Sequence, residues 1–313
     1  MKKLAVVAFG GNALLRAGQK GTIEEQTANA SEAVKKLLTL GKKYNLVLTH
    51  GNGPQVGNIL LANSAGHKLY GIPEMPMDVC GAYSQGFIGY ILEQQLRNAL
   101  MKQNKVRDII TLITQVLVDK NDPAFQNPTK PIGPYYSKEE AEEIMEKTGA
   151  IFKEDARGRG WRKVVASPEP LVIYNQKTIE KISREGHIVI TVGGGGIPCY
   201  FETEKTLKGI EAVIDKDLAS SRLAIGIRAD KFFILTDISK VFINFNTPQE
   251  KAIDKMTLLQ AEQYMREGQF GEGSMKPKIR AAINFVKNTG KDAIITDTEK
   301  LGIKNGGTRI TMV

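Results

Sequence analysis

Three glycine-rich turns in this sequence have the composition of anion-binding sites. Each directly follows a short apolar run, and the three are Gly10-Gly11-Asn12-Ala13, His50-Gly51-Asn52-Gly53-Pro54 and Gly193-Gly194-Gly195-Gly196. Glycine lets the backbone approach a ligand and aim consecutive N–H groups at an anion. Ligands of open α/β sheets bind at the carboxyl ends of the strands, so the turns predict a phosphate site there. Each turn taken alone could also be a plain connection between two elements.

Three lysines provide positive charge near such turns or near predicted helix starts. Lys130 lies between two prolines that stiffen its loop, Lys216 lies between Asp215 and Asp217, and Lys278 lies at another predicted helix start. The dipole at a helix N-terminus disfavours a lysine, so a bound anion would account for Lys216 better than stability does. Phosphoryl transfer needs positioning and positive charge more than covalent chemistry, and three lysines suit it. N-capping by Asp215 and ordinary surface positions for the lysines are the alternatives.

Several common catalytic signatures are absent from the sequence. It has no G-x-x-x-x-G-K-[ST] phosphate loop, no G-x-G-x-x-G after the first apolar run and no protein-kinase signature. No Cys and His spacing indicates zinc, and no Ser-His-Asp set is evident. His50 beside the second turn could touch substrate or make a structural hydrogen bond. Asp78 and Asp237, close to the ends of predicted elements, are candidates for metal or nucleotide contacts.

The elements that must position these groups alternate between strand-like and helix-like segments. Apolar runs predict strands at Leu4–Phe9, Asn45–Thr49, Ile109–Val118, His187–Val192, Lys231–Leu235 and Ala293–Ile295. Helical patterns are found at Thr22–Lys43, Pro54–Ala65, Val79–Leu100, Leu218–Ile227, Thr257–Arg266 and Lys278–Lys287. The first of them begins with Thr22-Ile23-Glu24-Glu25, which predicts a capping box. The alternation predicts a parallel sheet with right-handed crossovers, and the continuous apolar strands predict a sheet covered on both faces.

Residues 119–170 break this alternation. They contain six of the twelve prolines and the only tryptophan, Trp161, and they follow a strand predicted to be central. Stretches of this length without regular alternation are usually functional segments or linkers. We predict an excursion from the sheet, with a short helix at Ser137–Lys147 that Ser137 and Glu140 cap.

The composition of the 313 residues is that of a soluble globular protein, with 42% hydrophobic and 25% charged residues. No apolar run is long enough to span a membrane, so no membrane partner is expected. The two cysteines, Cys80 and Cys199, fit a reducing cytosol rather than a disulfide scaffold. The net charge of +9 indicates either a solvated surface or attraction of an anion. A small phosphorylated ligand fits better than nucleic acid, because no run of five basic residues occurs.

Together these motifs resemble those of a known family, the carbamate kinases of the amino acid kinase fold. The resemblance runs nearly end to end, and the stretch around Lys130 is its most specific part. Besides the glycine turns, the motifs are Pro76-Met77-Asp78-Val79-Cys80-Gly81-Ala82, Val118-Asp119-Lys120-Asn121-Asp122-Pro123-Ala124-Phe125, Asn127-Pro128-Thr129-Lys130-Pro131, Gly158-Arg159-Gly160-Trp161-Arg162, Glu211-Ala212-Val213-Ile214-Asp215-Lys216-Asp217 and Gly273-Ser274-Met275.

The resemblance implies a single amino-acid-kinase-type domain over residues 1–313, a three-layer αβα sandwich with a mostly parallel central sheet. Within it, residues 1–210 would form an acceptor-binding lobe that carries 119–170 as a protruding subdomain, and 211–313 a nucleotide-binding lobe. The implied reaction is ATP + carbamate ⇌ ADP + carbamoyl phosphate, with Mg²⁺ carried by ATP or ADP and no metal held by the protein itself. The resemblance also implies a cytoplasmic homodimer that acts in arginine metabolism.

The resemblance further implies roles for individual residues, with Asp217 orienting the lysines. The catalytic residues would be Lys130, Lys216, Asp217 and Lys278. The groups that hold carbamoyl phosphate would be Gly10, Gly11, Asn12, Gly51, Asn52, Gly53, Gly194 and Gly195. The nucleotide contacts would be Asp215, Asp237, Met275 and Pro277. Two alternatives stay open, namely a kinase of the same fold with another small acidic acceptor and a non-catalytic sensor of nucleotide or carbamoyl phosphate.

Overall fold

The computed structural model describes residues 2–10, 14–16, 18–155, 158–271 and 275–313. Within these ranges, strands β1 to β17 cover Lys3–Phe9, Tyr44–His50, Ile109–Thr111, Gln115–Leu117, Lys130–Tyr136, Phe152–Glu154, Trp161–Val165, Val172–Ile173, Ile188–Ile190, Ile197–Thr203, Thr206–Gly209, Lys231–Leu235, Val241–Ile243, Lys251–Ile253, Lys255–Thr257, Ala293–Thr296 and Thr308–Thr311. Helices α1 to α8 cover Ile23–Leu40, Gly53–Tyr70, Met77–Met101, Lys138–Thr148, Gln176–Arg184, Lys216–Gly226, Leu258–Arg266 and Met275–Thr289. Short 3-10 turns occur at Pro123–Phe125 and Gly193–Gly195.

Two of the helices begin at the capping boxes that the sequence predicts. The hydroxyls of Thr22 and Ser137 accept hydrogen bonds from the N–H groups of Glu25 and Glu140, and the glutamate side chains accept from the cap residues in return. Helix α4 ends at Gly149, whose φ of 69° suits glycine. In the described part of the chain, no helix combines the length and the apolar character that a bilayer crossing requires.

An eight-stranded sheet contains the predicted strands, in the order β15-β17-β16-β12-β1-β2-β9-β3. Its pairs are parallel except for β16 with β17, so the mostly parallel sheet is confirmed. From β1 the chain continues to β2 on one side, and it later returns to β12 on the other side. The strand order therefore reverses beside β1, which is where open α/β sheets bind ligands.

Helices cover both faces of this sheet. One core contains alternate β1 residues from Leu4 to Ala8 together with apolar side chains of α6 and α8. The other contains alternate β1 residues from Ala5 to Phe9 together with side chains of α1 and α3. Because successive side chains of a strand point to opposite faces, one buried strand supports both helical layers. The arrangement confirms the three-layer αβα sandwich.

The prediction of one central strand over Ile109–Val118 is wrong. Its first part, β3, is the edge strand of the main sheet, and its second part, β4, belongs to a second sheet in the order β11-β10-β4-β8. The chain bends at Thr114, whose N–H donates to Oε1 of buried Gln85 at 2.8 Å. The hydroxyl of Thr114 also lies 2.6 Å from that of Thr191. A continuous apolar run does not reveal such tertiary contacts, so it predicts a single strand.

Residues 119–170 include a separate antiparallel sheet in the order β5-β7-β6, with α4 packed against β7. The predicted short helix at Ser137–Lys147 is confirmed as α4. Strand β5 packs on the rest of the chain through Ile132, which joins Met77 and Val213 in a small buried apolar cluster. This packing fixes where the first residue of β5, Lys130, enters the molecule.

Candidate active site

The second glycine turn lies at the carboxyl end of β2, beside the end of β1. The two strands pair along their whole length, so Phe9 lies opposite His50, and the N–H of Gly51 donates to the carbonyl oxygen of Phe9 at 3.2 Å. Helix α2 begins directly behind the turn, with Asn52 as its N-cap residue. The Asn52 side chain does not cap the helix, because its Nδ2 donates to Oγ of Ser84 at 2.8 Å. The start of α2 therefore presents N–H groups without a side-chain cap, which suits an anion.

The third glycine turn brings the second turn against the start of α6. Gly194 and Gly195 have φ values of 66° and 96°, which favour glycine. A Cβ at Gly194 would overlap Nδ2 of Asn52, and one at Gly195 would overlap the carbonyl oxygen of Ile214. Close packing against neighbouring segments therefore explains by itself why glycine occupies both positions. Strand β10, rather than a helix, follows this turn, whereas helix α2 begins within the second turn, at Gly53.

Two neighbouring carboxylates form ion pairs with three lysines from three parts of the chain. Asp215 is the N-cap of α6, where its Oδ1 accepts from the N–H of Asp217 at 2.9 Å, while its Oδ2 accepts from Nζ of Lys130 at 2.7 Å. The Asp217 carboxylate accepts from Nζ of Lys216 at 2.6 Å and from Nζ of Lys278 at 2.8 Å. We call these five residues the lysine–aspartate cluster. N-capping by Asp215 is confirmed, and the same side chain also pairs with Lys130.

Burial and pairing together set the electrostatics of the lysine–aspartate cluster. Burial alone would raise the pKa of Asp217, but the ammonium groups of Lys216 and Lys278 hold that pKa well below its usual range. The pKa of Asp215 is lowered as well, because Lys130 outweighs burial. Burial lowers the pKa of Lys216, whereas the pKa of Lys278 is raised because Asp217 outweighs burial. Three ammonium groups thus face two ionised carboxylates, and the excess positive charge suits an anionic phosphoryl group.

His50 is a structural residue of the second turn. Burial, together with the positive charge of Lys216, lowers the pKa of His50 to about 4, so its ring is neutral near pH 7. Its Nδ1 lies 3.0 Å from the carbonyl oxygen of Gly51, and its ring fills the space that a Cβ on Gly193 would occupy. Of the two roles that the sequence allows for His50, the structure favours the structural hydrogen bond.

Two glycines set the distance between β5 and α2, and with it the position of Lys130. A Cβ at Gly57 of α2 would overlap the backbone of Gly133 in β5. The two elements therefore approach each other more closely than larger residues would allow. From this position Lys130, which is 31% exposed, reaches Asp215 at the start of α6. The segment 119–170 thus contributes one ammonium group to a site that the rest of the chain builds.

A cavity of about 500 Å³ opens at the carboxyl ends of β1, β12 and β16. Its described lining includes Gly10 after β1 and Asp237 after β12, which the sequence assigns to substrate and nucleotide. The three lysines are not part of that described lining. The cavity nevertheless lies within electrostatic reach of Lys278, because the negative charge of Asp237 contributes to the raised pKa of that lysine.

Comparison with known proteins decides the family. The amino acid kinase family model matches residues 3–297 of the chain. A carbamate kinase from Pyrococcus horikoshii is 48% identical over 301 residues, which cover 96% of this chain and 95% of that protein. Carbamate kinase 2 from Staphylococcus aureus is 46% identical over the full length of both chains. The chain belongs to the carbamate kinases of the amino acid kinase family.

Solved structures of carbamate kinases share this fold. Carbamate kinase from Giardia lamblia bound to AMP-PNP matches with a TM-score of 0.90 at 44% identity, over 99% of this chain and 98% of that one. The same protein bound to citric acid matches with a TM-score of 0.93 at 43% identity and the same coverage. A UMP kinase from Bacillus anthracis, at 14% identity and a TM-score of 0.53 over 99% and 96% of the two chains, shares the fold alone.

In this member of the carbamate kinase family, other predicted positions lie in the first turns of helices. Met275 and Pro277 lie with Lys278 in the first turn of α8, and Gly53 is the first residue of α2. The carboxylate of Asp78, in the first turn of α3, lies against Gly209. Five residues named in the sequence analysis lie outside the described part of the chain, namely Gly11, Asn12, Ala13, Gly273 and Ser274.

The sequence did not predict the polar side chains whose hydrogen bonds fix the glycine turns and the strands next to them. Gln85 of α3 donates from Nε2 to the carbonyl oxygen of Gly193 at 3.0 Å, and its neighbour Ser84 accepts from the N-cap side chain of α2. The hydroxyls of Thr49 and Ser220 lie 2.6 Å apart and join β2 to α6. The only sequence signal for these residues is a polar side chain within a mostly apolar segment, and such a signal does not name a partner.

Proposed function

We propose that this chain transfers a phosphoryl group reversibly between ATP and carbamate, giving ADP and carbamoyl phosphate. The observation that carries the proposal is the lysine–aspartate cluster, in which Lys130, Lys216 and Lys278 from three segments meet at two carboxylates. Relatives that match along nearly their whole length and are named carbamate kinases support it.

The reaction joins two anions that repel each other. In the direction of carbamoyl phosphate synthesis, a carboxylate oxygen of carbamate attacks the γ-phosphorus of ATP. The bond from that phosphorus to the β–γ bridging oxygen breaks, and its electron pair leaves with ADP. No proton has to move, because the attacking carboxylate is already ionised, and this agrees with a neutral His50 beside the turn. Catalysis then depends on fixed positive charge around the transferring group.

The lysines would supply that charge from two sides. Lys216 and Lys278 would bind the transferring group and the phosphates of ATP, while Lys130 would reach the same group from the segment 119–170. Asp217 already holds Lys216 and Lys278 by hydrogen bonds and would orient them. Because their positions are set before substrate arrives, little reorganisation opposes the transition state.

Backbone groups would hold the acceptor, and residues of the other lobe the nucleotide. Carbamate is small and planar and has no side chain to recognise, so N–H groups at glycine turns suit it. For the acceptor lobe 1–210 we assign this role to Gly10, Gly11, Asn12, Gly51, Asn52, Gly53, Gly194 and Gly195. For nucleotide we assign Asp215 and the residues of lobe 211–313 around it, Asp237, Met275 and Pro277.

Magnesium would arrive with the nucleotide and neutralise part of the phosphate charge. Among the residues that the structure describes, no group of three His, Cys, Asp or Glu side chains could hold a metal ion. The two carboxylates of the lysine–aspartate cluster are already paired with ammonium groups. We therefore treat Mg²⁺ as a part of the nucleotide substrate.

We also propose that two copies of the chain form a homodimer. The edge strand β3 and the outer face of α3 support this, because Tyr83 and Tyr90 on that face are 48% and 61% exposed. Light scattering at micromolar concentration should give twice the chain mass, and Tyr90→Asp should shift it toward the monomer. A monomeric wild type would contradict the proposal. The cytoplasmic location and the role in arginine metabolism stay predictions.

The proposed reaction is tested by measuring ATP formation from ADP, Mg²⁺ and carbamoyl phosphate. ADP formation from ATP with carbamate, glutamate, aspartate or uridine monophosphate then compares acceptors. We expect turnover with carbamoyl phosphate and carbamate. Turnover with one of the other acceptors alone would show a different kinase of this fold, and nucleotide binding without any turnover would show a sensor.

A further inference from the structure

One buried oxygen next to the second glycine turn has no hydrogen-bond partner. It is Oε1 of Gln55, and no donor among the described residues reaches it. Gln55 is 4% exposed, and its Nε2 donates to Oε1 of Gln26 at 2.9 Å. Gln26 donates its own Nε2 to the carbonyl oxygen of Gly21 at 2.8 Å. Since a carbonyl oxygen can only accept, this chain of bonds fixes which end of each amide is nitrogen, and the unpaired atom is an acceptor.

The position of Gln55 in the chain places this unpaired oxygen close to the second glycine turn. Gln55 is the third residue of α2 and directly follows the second glycine turn, His50-Gly51-Asn52-Gly53-Pro54. Side chains of a helix lean toward its N-terminus, and the N-terminus of α2 is the end that carries the turn. The start of α2 also lacks a side-chain cap. Backbone N–H groups and one unpaired side-chain oxygen therefore lie at the same end of the helix.

This combination of groups is unusual for a site that takes only an anion. N–H groups attract a carboxylate, but a nearby carbonyl oxygen repels it unless the ligand also carries a hydrogen-bond donor. A buried acceptor without a partner is uncommon in folded proteins and calls for an explanation. Carbamate and carbamoyl phosphate each carry an amino group next to the carbonyl carbon, so they offer both a negative charge and N–H donors.

We propose that Oε1 of Gln55 accepts a hydrogen bond from the amino group of carbamate and carbamoyl phosphate, and so selects them over acids without that group. This inference rests on the proposed function and adds a specificity-determining residue to it. Acetate and acetyl phosphate place a methyl group of similar size where the amino group would be. Shape alone separates such a pair poorly, whereas an unpaired buried acceptor rejects the methyl compound.

The test compares carbamoyl phosphate with acetyl phosphate in the wild type and in Gln55→Met. Acetyl phosphate is measured as a phosphoryl donor to ADP and also as a competitive inhibitor. We expect Gln55→Met to lower kcat/KM for carbamoyl phosphate by about 10- to 100-fold, the scale for losing one such hydrogen bond. In this variant, the kcat/KM and the inhibition constant for acetyl phosphate should stay within about twofold of their wild-type values. An equal loss for both compounds, or no loss for either, would overturn the inference.

Two further variants separate recognition from folding. Gln95→Met removes another buried glutamine, from α3, and should leave the preference for carbamoyl phosphate unchanged. Gln55→Glu keeps an acceptor oxygen but loses the N–H that is donated to Gln26. It should therefore keep the preference, even though the added charge and the lost hydrogen bond weaken the binding of both compounds. If Gln55→Met does not fold, a loss of preference in Gln55→Glu overturns the inference. A wild type that forms no ATP from carbamoyl phosphate would instead contradict the proposed function itself.

Discussion

The two sides of the proposed site are built in different ways. In the lysine–aspartate cluster, charged side chains from distant segments are held by direct ion pairs, as Asp217 holds Lys216 and Lys278. At the glycine turns, backbone groups are placed by the pairing of β1 with β2 and by the close approach of Gly194 to Asn52. The first construction suits a highly charged phosphoryl group, and the second suits a small planar acid. Removing a charged group should therefore impair the lysine–aspartate cluster, and adding side-chain volume should impair the glycine turns.

The largest effect should come from removing one ammonium group of the lysine–aspartate cluster. We expect Lys216→Ala to lower kcat roughly 10²–10³-fold, the scale for losing one fixed charge-stabilising group. Steady-state ATP formation from ADP and carbamoyl phosphate measures it. Lys208→Ala, which removes an exposed lysine paired with Glu202, is the matched control and should keep wild-type turnover. Near wild-type turnover in Lys216→Ala would remove Lys216 from the mechanism.

An intermediate effect should come from adding one carbon to the third glycine turn. Gly194→Ala places a Cβ against Nδ2 of Asn52 at a positive φ, so we expect it to lower the free energy of unfolding by about 2 kcal/mol. Urea unfolding measures the change. The control is Gly66→Ala within α2, where the nearest atom to a Cβ is Cδ1 of Ile72 at 3.7 Å. That variant should gain about 0.5–1 kcal/mol. Equal stability of the two variants would show that the third glycine turn accommodates a Cβ at position 194.

The smallest effect, taken over one pH unit, concerns the protonation of His50 and distinguishes the two constructions once more. The pKa of His50 is about 4 in the fold and about 6.5 when unfolded, so the unfolded chain binds more protons between these values. The stability due to neutral His50 is complete above pH 6.5 and is lost as pH falls toward 4, by about 1 kcal/mol per pH unit. Asp217, whose pKa is lowered, contributes stability that is complete above about pH 4 and is lost only below it.

Urea unfolding at several pH values between 4.5 and 7 tests this difference. Compared with the wild type, His50→Gln should show a flatter dependence of the unfolding free energy on pH across that window. The comparison uses slopes, so a constant loss of stability in the variant does not affect it. An unchanged slope would mean that His50 is not the group that takes up the proton.

The sequence was informative about elements and much less about how they meet. Apolar runs and capping boxes predicted β1, β2, α1 and α4, because local patterns decide these segments. The division of Ile109–Val118 between two sheets was not predicted, because it depends on contacts of Thr114 with Gln85 and Thr191. Strand order likewise depends on tertiary packing, and no short pattern in the sequence encodes it.

For the site, residue types were predictable and their pairing was not. Glycine turns and isolated lysines indicated phosphate chemistry, and the motif around Lys130 indicated a family. The carboxylate that each lysine pairs with could not be read from the sequence, since Lys130 and Asp215 are 85 positions apart. The unpaired oxygen of Gln55 also had no sequence signal, because an unmet hydrogen bond becomes visible only when the neighbours are in place.

A crystal structure grown with Mg²⁺ and a non-hydrolysable ATP analogue would show directly whether the three lysines surround the transferring phosphoryl group. We predict that Nζ of Lys130, Lys216 and Lys278 lie around the terminal phosphate, the latter two at about 3 Å from its oxygens. We also predict that this phosphate faces the start of α2. Lysines directed to separate surfaces, or a terminal phosphate bound away from the lysine–aspartate cluster, would contradict this prediction.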